Sequence, residues 1–243
     1  MYGWRARIGA ILGRPNAVCE PEFNEMVPEG VSVHGARMFG HAIARYNDPQ
    51  VMKDMEGFTA ECATAMTEFV PNILVFTHNA SSMASVDFNK LLTKTMEEKG
   101  GCPALTTGTA LVDALNAVNA KNIAVTDPFP KPWLTEIVHN FLEDPQVGFK
   151  IVNSSSAKGD SPQFITNMSP SVAYKFAREA DHPDADAVVL TANVWRTLEV
   201  IEPLEQDLGK PVITANQATI WAALRVLGVG AVKGRYGSLF DID

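Results

Sequence analysis

Short apolar runs punctuate the chain, each closed by a polar cluster and followed by a helical pattern. Residues 72–76 are the clearest case. They read as a buried strand, after which the chain turns polar through Thr77, His78, Asn79, Ala80, Ser81 and Ser82, and a helix is predicted over 86–99. The pattern recurs at 187–190, an apolar strand that ends in Thr191, Ala192 and Asn193, with a helix predicted over 195–207. Strand 7–12 runs into the turn Gly13-Arg14-Pro15-Asn16, strand 122–126 into Asp127-Pro128-Phe129-Pro130, and strand 211–214 into Ala215-Asn216-Gln217. Further strands are predicted at 31–38, which carries His34 and Arg37, at 104–106 and at 148–153. Helices are predicted over 20–26, 49–69, 109–119, 133–142, 169–179 and 218–227. The stripe Met52, Met55, Phe58, Cys62, Met66 in the 49–69 helix reads as core packing. Residues 154–161 are Ser/Gly-rich and read as a mobile loop able to act as a lid, and 234–243 as a short terminal segment.

Strands alternating with helices imply parallel sheets flanked by helices, an α/β protein. Two patterns repeat in the same order. Thr77-His78-Asn79 is echoed by Thr191-Ala192-Asn193, and Gly101-Cys102-Pro103-Ala104-Leu105-Thr106 by Gly209-Lys210-Pro211-Val212-Ile213-Thr214. Such an echo implies two similar halves. The expected division is residues 1–118 plus 216–243 as one lobe and 119–215 as the other, each a parallel sheet flanked by helices. The polar loops at the strands' carboxyl ends then face one cleft, the usual place for a ligand in such sheets.

Composition narrows the class. The 243 residues are 46% hydrophobic and 20% charged, enough to build a globular core, and the formal net charge of −8 argues against a nucleic-acid surface. Cys19, Cys62 and Cys102 are odd in number and widely spaced, with no zinc or redox spacing, and read as free thiols in a cytoplasmic protein. No apolar window is long enough for a membrane span. There is no G-x-G-x-x-G and no phosphate-binding G-K-S/T, so nucleotide cofactors are unsupported, and His78 has no neighbour at metal-ligand spacing.

The candidate chemistry lies at the strand ends. Asn16, Thr77, Asn79, Ala80, Ser81, Ser82, Asp127, Phe129, Thr191, Ala192, Asn193 and Asn216 are the candidate substrate-binding positions. Their hydroxyls, amides and backbone N–H groups suit a carboxylate or an enolate. Among them His78 titrates nearest neutral pH and is the candidate acid or base. No G-x-S-x-G elbow supports a serine nucleophile.

The segments RIGAILGRPNAVCEPEFNEMVPEGVSVHGARM, GCPALTTGTALVDAL and TLEVIEPLEQDLGKPVITANQATIWAALR resemble the aspartate/glutamate racemase superfamily, and most of all its maleate cis-trans isomerase and arylmalonate decarboxylase branch. The resemblance spans nearly the whole chain. It implies two pseudo-symmetric lobes, an active site between them, no metal or organic cofactor, chemistry at carbons next to carboxylates, and a homo-oligomer. It also implies a catalytic Cys at the end of one or both echo strands, where this chain has His78 and Ala192. A Tyr of the family's mid-chain loop corresponds to Phe129, and Asn16 is retained. One titrating group in the cleft suits a one-base isomerase, decarboxylase or hydrolase acting on a small carboxylate or carbonyl compound. The loss of the thiols raises the alternative of a non-catalytic carboxylate-binding protein.

Overall fold

The computed structural model describes residues 2–39 and 45–242. The first half runs β1 (Ala6–Leu12), α1 (Cys19–Met26), β2 (Val31–Arg37), α2 (Pro49–Met66), β3 (Ile73–Thr77), α3 (Asn79–Ser82), α4 (Val86–Gly100), β4 (Ala104–Thr106) and α5 (Thr107–Ala117). The second runs β5 (Asn122–Asp127), α6 (Pro132–Leu142), β6 (Lys150–Ser156), α7 (Pro162–Thr166), α8 (Pro170–Ala180), β7 (Ala187–Leu190), α9 (Ile201–Leu208), β8 (Val212–Thr214) and α10 (Ala215–Val226).

Each half holds a four-stranded parallel sheet, in the orders β2-β1-β3-β4 and β6-β5-β7-β8. The two orders are the same permutation, which is the internal repeat expressed as topology. The central strands are mostly apolar, since helices cover both faces: β3 and β7 are buried at every position. In register, Leu12 lies beside Thr77, and Thr126 beside Leu190. The loops that begin at Gly13, His78, Pro128 and Thr191 therefore leave from the same ends of neighbouring strands. Helix α10 follows β8 but packs on α5, α1 and β3 as well as on β8, so it ties the halves together. Its start is held by a capping box, in which Thr214 Oγ1 accepts from Gln217 N and Gln217 Oε1 from Thr214 N, at 3.3 and 3.1 Å.

Two expectations need correction. The helix predicted over 195–207 begins only at Ile201, after a 3-10 turn at Leu198–Val200. Pro203 has no N–H and collides with a carbonyl four residues back, so a helix tolerates it only in the first turn. The amides of Thr197 and Leu198 are instead taken by the Glu22 carboxyl, at 3.0 and 3.3 Å. In the second case, the first three residues of the expected mobile loop are strand, because β6 runs to Ser156. Ser155 Oγ donates to Phe176 O of α8 at 2.6 Å and Ser156 Oγ to Asp127 Oδ1 of β5 at 2.9 Å, so these hydroxyls are satisfied by the neighbouring helix and strand. Among the described residues no helix is long and apolar enough to cross a membrane.

Candidate active site

The carboxyl ends of the two sheets meet around a cavity of about 60 Å³. The first half contributes Gly13, Pro15, Tyr46, Thr77, His78, Asn79 and Ala80. The second contributes Phe129, Pro130, Leu134, Pro162, Ile165, Ala192, Asn193 and Val194. Among the described residues the walls are mostly apolar and carry no Lys or Arg. Polar groups come from the two echo loops and Tyr46.

His78 follows β3 directly. Its Nδ1 lies 2.9 Å from Ser81 Oγ, and its Nε2 lies 3.3 Å from the Tyr46 hydroxyl. The Tyr46 ring meets the imidazole edge-on, with centroids 5.0 Å apart at 70°. Gly13 forms the floor: a Cβ there would sit 2.7 Å from His78 Cδ2, so only glycine lets the β1 loop pass under the ring. Burial lowers the His78 pKa to about 4, so at neutral pH the ring is uncharged. Immediately after it, α3 is a single helical turn whose first internal bond runs from Ser82 N to His78 O, at 3.0 Å. The amides of Asn79 and Ala80 stand ahead of that bond with no intrahelical acceptor.

The echo positions pair across the halves. Asn79 Nδ2 donates to the Thr191 carbonyl, and Asn193 Nδ2 to Thr107 Oγ1 and Asn216 Oδ1, at 3.1 and 3.0 Å. Each of these two asparagines leaves its Oδ1 buried without a protein partner. Buried amide oxygens are rarely left so, and both residues line the cavity, where a ligand hydroxyl or protonated carboxyl would satisfy them.

Of the candidate positions, Thr77, His78, Asn79, Ala80, Phe129, Ala192 and Asn193 line this cavity. The rest lie behind its wall, with side chains spent inside the protein. Asn16 Oδ1 accepts from the amides of Val18 and Cys19 at the start of α1, while its Nδ2 reaches Cys19 Sγ and Asn193 O. Ser81 underlies His78, and Ser82 Oγ bridges Asn79 O and Gly108 N. Asp127 accepts from Phe129 N, Ser156 Oγ and Thr135 Oγ1, with its pKa raised by burial. Thr191 Oγ1 faces Thr126 O, and Asn216 Nδ2 donates to Glu22 at 2.6 Å. His34 pairs with Ser32 and stacks near Phe69, and Arg37 pairs with Glu20 and donates to Asn16 O. No cysteine lines the cavity. Cys19 is fully buried against Asn16, Asn193 and Asn216, and its thiol pKa is driven up by desolvation.

Two contributors escaped the sequence reading. Tyr46 lies between predicted elements, where no periodicity marks it. Glu22 reads as an ordinary acidic helix position, yet it is buried and spans both halves through Thr197, Leu198 and Asn216, with its pKa raised to about 7 by desolvation.

The fold and cavity define a two-lobed, pseudo-symmetric α/β protein with one ligand site between its parallel sheets. The family model described as arylmalonate decarboxylase matches residues 25–240, and the chain belongs to that family. It is 27% identical to a maleate isomerase of Pseudomonas putida over 97% of each chain, and 28% identical to the arylmalonate decarboxylase of Bordetella bronchiseptica over 63% of this chain and 64% of that one. Among solved structures, a Cys-to-Ala variant of the maleate isomerase Iso from Pseudomonas putida S16, with maleate, superposes with a TM-score of 0.86 at 23% identity over 98% of both chains. A maleate cis-trans isomerase of Nocardia farcinica, in a Cys-to-Ser variant carrying a covalently bound succinylcysteine intermediate, also gives 0.86 at 23% identity, covering 98% of this chain and 99% of that one. These structural likenesses show the fold.

Proposed function

We propose that this chain is a cofactor-independent enzyme of the lyase or isomerase type that acts on a small dicarboxylate, with His78 as the proton-transferring group. The observation that carries the reading is the neutral imidazole of His78 set in an apolar cavity at the end of an echo strand. The relative from Nocardia farcinica holds its intermediate on a cysteine. This cavity has no thiol, so a thioether intermediate at that place is not open to it, and proton transfer takes precedence over covalent addition.

The direction of transfer follows from the pKa. A base whose conjugate acid has a pKa of about 4 is too weak to pull a proton from a carbon beside a carboxylate. The same group is a strong acid once charged, and a bound anion charges it. One carboxylate at about 4 Å in an effective dielectric of about 20 contributes about 4 kcal/mol, or about three pKa units. Binding of a dianion therefore brings a proton onto Nε2. Loss of CO2 from an α-substituted malonate breaks the carbon–carboxylate bond and leaves its electron pair on the α-carbon as an enediolate. Nε2–H gives its proton to that carbon, and the ring returns to its neutral state. The sum is one dianion and one proton in, CO2 and one monocarboxylate out. In this reading the open amides of Asn79 and Ala80 hold the carboxylate oxygens, and the apolar walls favour loss of charge as CO2.

The test is turnover. Incubated with a panel of α-substituted malonates, and with maleate, in deuterated buffer and followed by NMR, the wild type should decarboxylate at least one malonate and place one deuterium on the product carbon. His78→Gln should lose at least about a hundredfold in rate while remaining folded. Full activity in His78→Gln would overturn the assignment. Binding without turnover by the wild type would leave a carboxylate-binding protein on this scaffold.

A further inference from the structure

The imidazole of His78 is gripped at both nitrogens, and the grip selects which nitrogen carries the hydrogen. Ser81 has a single hydroxyl proton, and its Oγ donates to the carbonyl oxygen of His78 at 3.1 Å. With that proton on the carbonyl, Oγ faces Nδ1 at 2.9 Å as an acceptor, the arrangement in which the ring hydrogen sits on Nδ1. Nε2 is left with its lone pair, and the Tyr46 hydroxyl beside it, at 3.3 Å, is the donor that meets it. Tyr46 is almost fully buried, and its ring stands edge-on to the imidazole. Gly13 closes the third side. Arg45, which precedes Tyr46, lies over the Trp133 ring at the start of α6, 5.8 Å from the centroid, a contact with the second half.

We propose that Tyr46 is a positioning residue for the reaction: with Ser81 it holds His78 in the Nδ1–H tautomer and fixes Nε2 at the cavity wall, its lone pair on the Tyr46 hydroxyl. The proposal rests on His78 being the proton carrier, but it makes a claim about the ring that can be read without turnover. The neutral ring accepts the Tyr46 hydroxyl. When Nε2 takes up its proton, the Tyr46 oxygen becomes the acceptor, and the ring stays in place until the substrate carbon takes that proton. A hydroxyl can fill both roles because it is donor and acceptor at once, whereas phenylalanine keeps the ring and fills neither.

The experiment is nitrogen NMR on enzyme labelled with 15N-histidine, in the wild type, Tyr46→Phe and Ser81→Ala, with kinetics on the same preparations. In the wild type His78 should show a protonated Nδ1 and a hydrogen-bonded, unprotonated Nε2. In Tyr46→Phe the Nε2 signal should move to that of an unbonded lone pair, and kcat should fall at least tenfold with KM within about twofold of wild type. In Ser81→Ala, which leaves Tyr46 intact, the tautomers should mix. A wild-type ring in the Nε2–H form, or an Nε2 signal that does not move in Tyr46→Phe, overturns the proposal whatever the activity. A loss confined to KM overturns it too, since that would make Tyr46 a binding group alone. If the wild type turns over no substrate, the functional reading fails, while the NMR arm still decides the tautomer.

Discussion

Two buried groups with opposite shifts set the pH response of the fold. His78 has its pKa lowered to about 4 and Glu22 raised to about 7. In the unfolded chain they titrate at ordinary values, near 6.5 and 4.5. Between those values the unfolded chain holds a proton on His78 that the folded one lacks, so this group makes stability rise with pH. Over the same window the folded protein holds a proton on Glu22 that the unfolded one lacks, which makes stability fall with pH. From about pH 4.5 to 6.5 these two contributions oppose each other. Each substitution should unmask the other: stability rising with pH in Glu22→Gln, and falling with pH in His78→Gln. The variants' slopes should differ by about 2.7 kcal/mol per pH unit, two protons at about 1.36 each. Urea unfolding at pH 4.5, 5.5 and 6.5 measures this, and parallel slopes would refute the assignments. Gly13→Ala acts at the same scale. Its methyl must displace the His78 ring, so turnover should fall more than tenfold while the melting temperature moves little.

At the scale of the elements, most strands and helices were legible, because buried parallel strands are short apolar runs and the turns after them are polar. What was not legible came from tertiary partners. Residues 195–200 carry an acceptable helical pattern, but Pro203 is tolerated only in the first turn of α9, so the helix starts at Ile201 and Glu22 takes the amides of Thr197 and Leu198. Ser154, Ser155 and Ser156 look like loop by composition, yet two of their hydroxyls find acceptors on α8 and β5. The site divides in the same way. The cavity-lining half of the candidate positions sits where a strand end must point, whereas Asn16, Asp127 and Asn216 carry the same polar signature and serve as joints. Tyr46 had no signal at all, since its place depends on a segment outside any periodic element. The capping box of α10 gives a check: Thr214→Ala should cost about 1 kcal/mol in urea unfolding with the m-value unchanged. A neutral result would mean that packing on α5 alone holds that helix.

Across the whole molecule, the repeated order of the two sheets places His78 and Ala192 at corresponding strand ends, and both line one cavity. Ala192 is buried and lines the cavity, so a sulfur there should reach the cavity space. Ala192→Cys should fold as the wild type does, and a small alkylating agent should modify the new thiol, with protection by a bound dicarboxylate. A thiol that stays inert in the folded protein would place position 192 away from the ligand and undo the two-sided cavity. The acidic net charge is no obstacle to the proposed anionic substrate, because a local site can be positive in an acidic protein.

Proton uptake by His78 is the central claim, and the pH dependence of kcat/KM for an accepted α-substituted malonate reads it directly. The free enzyme carries the proton on His78 only near and below pH 4, while the reacting complex needs it. The account therefore predicts that kcat/KM falls by about tenfold per pH unit from pH 6 to 8, and that the residual rate of His78→Gln loses this dependence. A kcat/KM that rises with pH over that range would show a base at work and contradict the account.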